Sequence, residues 1–471
     1  MRIVVLSGSP KGAKSVTMQY VRYLQHAFPE HDFELHHVGQ RIKKLERDES
    51  AFAEVLDAVR SADGVLWAAP VYYMLVPSGY KRFMELLFER EGAEAFEGKY
   101  AAALTTSIHF YDHTAHNYLE AISDDLGMRY VTFLSMAMED LLETEGQERV
   151  RLFGETFLRA IEERAPTASR YPPLRPLVFE YEPGAAPGSV EPGDLRVLVL
   201  TDAREGEGNL QGMVERFASS FSRPVERVNL RDLDIKGGCL GCLRCAYDNV
   251  CVYEGKDDYT SFYRTQVMTA DIVIFAGALQ DRYLSSLWKL YNDRSFFQGH
   301  TPTLLGKQIG FIISGPLSQN ANLREILTAS AELNHANLVG FVTDEVEGSA
   351  QIDALLQSLA ERSVRFARQG YRRPATFLGV GGQILFRDAI WGSLRGLFRA
   401  DHRTYKRLGW YKSFPQRNLR ARAMNVVYSL MLALPPVRRQ FQERIVEGML
   451  APYQRLFEGA GAPSAASGGI E

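Results

Sequence analysis

The chain repeats itself, and that repeat limits what it can fold into. RIVVL at residues 2–6 returns as RVLVL at 196–200, 194 residues on. ADGVL at 62–66 returns as ADIVI at 270–274, 208 residues on, and Lys81 and Gly98-Lys99 find Lys289 and Gly306-Lys307 at the same interval. One supersecondary unit used twice is the simplest reading of such an offset. The offset grows by 14 residues, and a cysteine-bearing loop lies inside that interval, so this loop reads as the insertion. In the first copy, strand candidates at 2–6, 33–38, 64–68, 100–104 and 130–133 alternate with helical patterns such as 15–27. Short apolar strands alternating with helices predict parallel sheets covered on both faces. The expected class is α/β, with two tandem doubly wound domains and a basic helical C-terminal region.

The predicted boundaries are 1–165 and 194–370 for the two domains, with 371–458 basic and helical. Residues 166–193 hold 7 of the chain's 20 prolines and read as a linker. The Gly/Ala/Ser-rich 459–471 read as a disordered tail. The net charge of −3 conceals an asymmetry: residues 372–471 carry +10 and the remainder −13. A body of that sign argues against nucleic acid as a partner. The start of the chain has no secretory leader pattern, and the longest apolar run, 424–434, falls short of a bilayer span. A cytoplasmic, reducing location is expected, where cysteines serve as ligands or redox groups rather than in disulfides.

After the first strand comes SGSPKGAKSVT at residues 7–17. A strand-to-helix turn offers backbone N–H groups and a positive helix end to a phosphate; a plain turn would favour the same small residues. Ser9, Ser15 and Thr17 add hydroxyls, and Lys11 and Lys14 add charge. After the third strand come Pro70, Val71, Tyr72, Tyr73 and Met74, in a loop whose rings can flank a flat ligand. With these two loops the chain resembles the NADPH-dependent FMN reductase family. The resemblance implies a flavodoxin-like fold, an FMN phosphate on the Ser-Pro-Lys loop and an isoalloxazine edged by the Pro-x-Tyr loop. Val16 departs from that family's usual Asn, and the third loop, 105–113, lacks its Gly-rich stretch. There Ser107 is expected on the flavin side, and His109 or Tyr111 to hydrogen-bond or move protons. His109, His113 and His116 as metal ligands is the less favoured alternative.

The second copy departs at the same places. Its first loop, 201–210, sets Asp202, Glu205 and Glu207 against Arg204, a charge that would repel phosphate. The Pro-x-Tyr position has become 278–282, ALQDR. In exchange, Cys239, Cys242, Cys245 and Cys251 fall within 13 residues, spaced C-x2-C-x2-C-x5-C. Four thiolates this close can wrap one metal, and three cysteines two apart are closer to a ferredoxin loop than to paired zinc knuckles. On this motif the chain resembles the iron–sulfur flavoprotein branch of the same family. That resemblance implies a [4Fe–4S] cluster exchanging electrons with FMN. The copies have lost complementary features, so the expectation is an internal pseudo-dimer with one FMN and one cluster.

The expected function is an FMN-dependent oxidoreductase drawing on NAD(P)H or reduced ferredoxin, its acceptor not readable from the sequence. The alternatives are a quinone or FMN reductase with a structural zinc site, or an electron-carrier subunit docking through its basic tail. In that tail, 382–406 can be drawn as one helix with Arg387, Arg395, Arg399 and Arg403 on a stripe; Arg417, Arg420, Arg422, Arg438 and Arg439 follow. It is expected to pack on the acidic body, or to meet anionic lipid or an acidic redox partner. Further association into a homo-oligomer is a related expectation.

Overall fold

In the computed structural model the described residues are 1–444 and 450, save 205, 207, 347 and 414–418. Their internal contacts divide the chain into Met1–Thr404 and Tyr405–Glu471. The larger unit holds two parallel sheets. The first contains β1 (Arg2–Ser7), β2 (Asp32–His36), β3 (Gly64–Pro70), β4 (Tyr100–Thr106) and β5 (Arg129–Met136). The second contains β6 (Val197–Thr201), β7 (Glu226–Asn229), β8 (Ile272–Gln280) with the short antiparallel β9 (Tyr283–Leu284), β10 (Gln308–Ser314) and β11 (Asn337–Thr343).

The strand order is β2-β1-β3-β4-β5 in one and β7-β6-β8-β10-β11 in the other. Each is the 2-1-3-4-5 order of flavodoxin-like folds. The likeness of the two sheets extends to individual hydrogen bonds. Arg2 donates from its backbone to Asp63 and from its guanidinium to Ser61 and Glu34; Arg196 does the same to Asp271, Thr269 and Glu226.

In the first half α1 (Val16–Ala27) and α6 (Thr144–Glu162) cover one face. The helices α2 (Ile42–Arg47), α3 (Glu49–Arg60), α4 (Ser78–Glu89) and α5 (Asp112–Asp125) contribute to the other. In the second half α7 (Gly208–Ala218) and α11 (Ser349–Gln369) cover the outer face, and α8 (Tyr259–Phe262), α9 (Ser286–Ser295) and α10 (Ala321–Leu333) the inner one. The two inner faces share one apolar cluster, from Val4 and Trp67 through Phe83 to Tyr259, Trp288 and Phe311. The outer faces keep separate cores.

Residues 166–193 form neither helix nor strand, yet they are pinned. Tyr181 is buried and hydrogen-bonds Asp353, Val190 pairs with Phe221, and Arg282 donates to the carbonyls of Tyr171 and Pro172.

The expected single helix over 382–406 is broken. Helix α12 (Phe377–Trp391) stops at Gly392, and α13 (Arg399–Arg407) starts after a turn containing Gly396. Gly392 and Gly396 inside the pattern lower its helical propensity enough for packing to decide. Nor is the arginine stripe wholly solvated, since Arg387 is buried beside Asp388. Helix α14 (Leu419–Leu432) lies in the smaller unit. Arg417 and residues 459–471 lie outside the described residues, as do Glu205 and Glu207.

Candidate flavin and cysteine-loop site

The strand ends of the first half assemble the predicted loops. Pro70 pairs with Thr106 across β3 and β4, and the Val71 N–H donates to the Thr106 carbonyl. After β1 the chain makes a 3-10 turn at Gly12–Lys14, with Gly12 at φ 53°. Ser15 then caps α1, accepting from the Met18 N–H. Ser9 is buried and accepts from the Lys11 N–H at 3.2 Å, while Thr17 Oγ1 lies 2.7 Å from Thr106 Oγ1. Lys11 is exposed. Gly8 and Gly39 pack as backbone on backbone: a Cβ on Gly39 would stand 2.3 Å from the Gly8 oxygen. Ser7 Oγ, fully buried at the end of β1, has no hydrogen-bond partner. An orphaned hydroxyl beside a tight, lysine-bearing turn fits an oxyanion acceptor, and the loop fits a phosphate.

The Pro-x-Tyr loop closes by reciprocal bonds between Tyr72 and Leu75, leaving Tyr73 (φ 44°) and Met74 (φ 65°) at its tip. The expected pair of ring-facing tyrosines is not what forms. The Tyr73 ring enters the second half, among Tyr263, Tyr291, Trp288 and Leu304, and Met74 is buried in the shared core. A large apolar ring finds more contact there than at a loop rim. Tyr72 stays beside Lys11. Burial pushes its phenol well up, helped by nearby Cys239.

In the third loop Ser107 Oγ accepts from the His109 N–H at 2.9 Å. His109 Nδ1 stands 3.0 Å from Asp112 Oδ2, an oxygen that also accepts from Ser135 at 2.6 Å. Tyr111 Oη donates to the Leu378 carbonyl, so α12 lies over this loop, and Phe386 packs on both Phe110 and His300. The three histidines turn to different partners: His113 to Glu325 and His116 to Thr105. Among the described residues the three do not converge as a ligand set.

The cysteine loop of the second half lies on these first-half loops. A Cβ on Gly241 would stand 1.9 Å from Tyr72 Oη and 3.1 Å from Lys11 Cε, and one on Gly238 would stand 2.4 Å from Ser78 Oγ. Lys43 Nζ donates to the Lys236 carbonyl. Arg294 holds the base of the loop: it forks onto Asp257 at 2.6 and 3.0 Å, donates to the Gly237 carbonyl and stacks on Tyr253. Gly241, Leu243 and Asn249 adopt positive φ, which coils the backbone around the thiols.

All four cysteines are free. They are not gathered around one point: among the described residues no group of three or more His, Cys, Asp or Glu stands as metal ligands. Instead Cys239 accepts from the Gly241 N–H and Cys245 donates to the Phe296 carbonyl. Burial pushes Cys239 up to about 12 and Cys245 up to about 11. The expected convergence of the four sulfurs on one centre is therefore not formed among the described residues. The donor set itself, four thiols on one clamped loop, fits a thiophilic metal.

Two matched i,i+4 ion pairs, one on α4 and one on α9, meet the other half at this place, and nothing local in the sequence announces the partners across the halves. Lys81 reaches Glu85 and Asp281, each at 2.8 Å, and the Gln280 carbonyl at 3.2 Å. Lys289 reaches Asp293 and, at 2.8 Å, the Tyr72 carbonyl. The Ser78 N–H donates to Asp293 at 2.7 Å, and the Ser286 N–H donates to Glu85. Each half thus supplies the carboxylate that caps the other's interface helix.

Residues 1–139 match the family model for NADPH-dependent FMN reductase. Among solved structures, the apo form of the NADH:FMN oxidoreductase EMOB is 22% identical, covers 34% of this chain and 89% of its own, and gives a TM-score of 0.30. FerB, an NAD(P)H:(acceptor) oxidoreductase from Paracoccus denitrificans, is 21% identical over 34% of this chain and 97% of its own, with a TM-score of 0.29. An FMN-dependent NADH-azoreductase from Bacillus anthracis in complex with FMN is 14% identical over 35% and 100%, at 0.27. Among curated proteins nothing matches.

The corresponding strand ends of the second half border an open cleft of about 600 Å³, lined by Asp202, Asn209, Arg231, Gln280, Ser285 and Ser314. Arg82 of the first half also borders it. Asp202, buried against Ser285, occupies the place of the phosphate turn. A carboxylate there opposes phosphate.

His116 supplies a pH prediction. It is 2% exposed, stacked on Phe133, and burial lowers it to about 4, against about 6.5 in an unfolded chain. Between these values the unfolded chain binds a proton that the folded one refuses. Stability is therefore lost as pH falls from about 6.5 toward 4, by up to about 1.4 kcal/mol per pH unit from this group. His116→Gln should flatten that slope in urea unfolding; an unchanged slope would assign it elsewhere.

Proposed function

We propose that this chain is a flavin-dependent oxidoreductase whose first half binds one FMN at the ends of β1, β3 and β4. We further propose that its halves are copies of one unit and that the cysteine loop carries an iron–sulfur cluster beside that flavin. The observation that carries the reading is the close packing of Gly241 on Tyr72 and Lys11: the loop rich in metal-ligand residues sits on the loops built for a flavin.

FMN, when bound, supplies exchange between two-electron and one-electron carriers, and a cluster supplies one-electron storage. The chain's own residues do the rest. Lys11 supplies charge to the phosphate, with Ser9, Ser15 and Thr17 shaping the turn and the unpartnered Ser7 hydroxyl beside it. Pro70, Val71 and Tyr72 edge the ring system, Tyr73 and Met74 contribute backbone at the hairpin tip, and Ser107 closes the third side. His109, oriented by Asp112, holds or passes a proton. Tyr111, spent on Leu378, anchors α12 over the site and excludes water. NAD(P)H or reduced ferredoxin is the proposed donor. Cys239, Cys242, Cys245 and Cys251 are the proposed cluster ligands, and a cluster would draw them inward while replacing their thiol protons.

Anaerobically purified full-length protein should contain one FMN and about four iron and four sulfide per chain. Cys239→Ser should remove the iron and keep the FMN. Zinc without iron would replace the cluster reading with a structural site. Two FMN per chain would overturn the division between the halves, and no FMN would overturn the whole reading.

A further inference from the structure

The flavin reading leaves the segment after Asp401 unused. Residues 402–442 contain nine Lys and Arg and no Asp or Glu. Within it, α14 buries none of its 14 residues. Leu419 is 73% exposed, Leu430 68% and Val426 60%, and Met424, Val427, Tyr428 and Met431 are exposed as well. Single exposed apolar residues are ordinary, but a continuous apolar surface marks a site of interaction.

At 100° per residue, Arg422, Asn425 and Ser429 make a narrow polar stripe, and apart from Arg420 the remaining circumference is apolar. At 1.5 Å per residue α14 rises about 21 Å, well short of the roughly 30 Å hydrocarbon core. Among the described residues no helix is long and apolar enough to cross a membrane. A helix too short to span, apolar over most of its circumference and flanked by arginines, suits the plane of an interface. Arg420 and Arg422 stand in its first turn and Arg438 and Arg439 just beyond its end, all exposed. Their charge complements anionic headgroups, while the hydrocarbon between them suits acyl chains; an acidic protein surface would answer the first feature and not the second.

We propose that α14 is an interfacial helix that docks this protein on an anionic lipid surface. Each arginine near such a surface strengthens partitioning about fivefold. The proposal is independent of the flavin reading.

The test is co-flotation of the full-length, cofactor-loaded protein with vesicles of phosphatidylcholine alone or mixed with phosphatidylglycerol, at low ionic strength and in about 1 M salt. Flotation is expected with the anionic vesicles only, and to be largely lost in high salt. Val426→Glu/Leu430→Glu should abolish it, and Arg420→Gln/Arg422→Gln should weaken it about tenfold or more. These positions are exposed, so the variants should keep the wild-type absorbance spectrum. No flotation of wild type, equal flotation with neutral vesicles, or a glutamate variant that floats like wild type would each overturn the proposal. A wild-type assembly that the glutamate variant reduces to monomers, with no flotation by either, would assign α14 to a second copy of the chain instead.

Discussion

Lys289→Ala is expected to destabilise the folded chain by about 3–5 kcal/mol, the cost of stranding one member of a buried ion pair. Lys289 and Asp293 are both fully buried, and the remaining partners of the pair are the Tyr72 carbonyl and the Ser78 N–H. Removing the ammonium leaves the carboxylate with no counter-charge and only the Ser78 N–H and hydroxyl in the core shared by the two halves. Burial already raises Asp293 above the ordinary carboxylate range, and loss of Lys289 raises it further. An acid whose folded value is raised costs stability as pH rises through that value, so between pH 5 and pH 8 the variant should lose at least as much stability as the parent. Guanidinium unfolding at both values reads the effect. Lys289→Ala combined with Asp293→Ala should recover part of the loss, because no carboxylate is then stranded. A loss below about 1 kcal/mol, the level of an exposed pair, would show that water reaches the site.

Gly241→Val should uncouple the cysteine loop from the flavin loops. Gly241 has φ 61°, which a β-branched residue strongly resists, and its new Cβ would meet the Tyr72 hydroxyl at 1.9 Å. The phenol is fixed between Phe296 and the loop, so the cysteine loop is the part that moves. A displacement of an ångström at a reacting site costs about a hundredfold. Turnover with a one-electron acceptor should fall by that order, with FMN content and flavin reduction by NAD(P)H unchanged. Gly255→Val is the control: φ is 69° there, with nothing within 4 Å of the new Cβ, so it imposes strain without collision. Wild-type turnover in Gly241→Val would refute the coupling.

The sheets were legible because their signal is local. RIVVL and RVLVL, followed by turn residues and a helical period, specify strand, loop and helix without reference to anything distant. The tight turn between β1 and α1 and the cysteine spacing were legible for the same reason. What escaped depends on docking. Ser78 and Asp293 are 215 residues apart, and no pattern around either announces that one caps the other. The Tyr73 ring leaves its expected place because the second half offers it an aromatic bed, a choice invisible from the Pro-x-Tyr loop alone. The helix drawn over 382–406 satisfied a four-residue period, but Gly392 and Gly396 let the chain turn, with Asp401 then meeting His300 and Thr301. The less favoured reading of His109, His113 and His116 as one ligand set rests on spacing alone; side-chain direction sends them to Asp112, Glu325 and Thr105.

The exchanged helix caps have a consequence for dilution and for divergence. Where two identical chains meet across an axis, their contact weakens as they are diluted, and every substitution appears on both sides. Here the linker fixes the local concentration of one half around the other, so dilution does not part them. Each substitution also falls on one side only. A cysteine loop can therefore lie against a flavin loop without a second cysteine loop being imposed on the opposite side, an asymmetry that an association of identical halves could not encode.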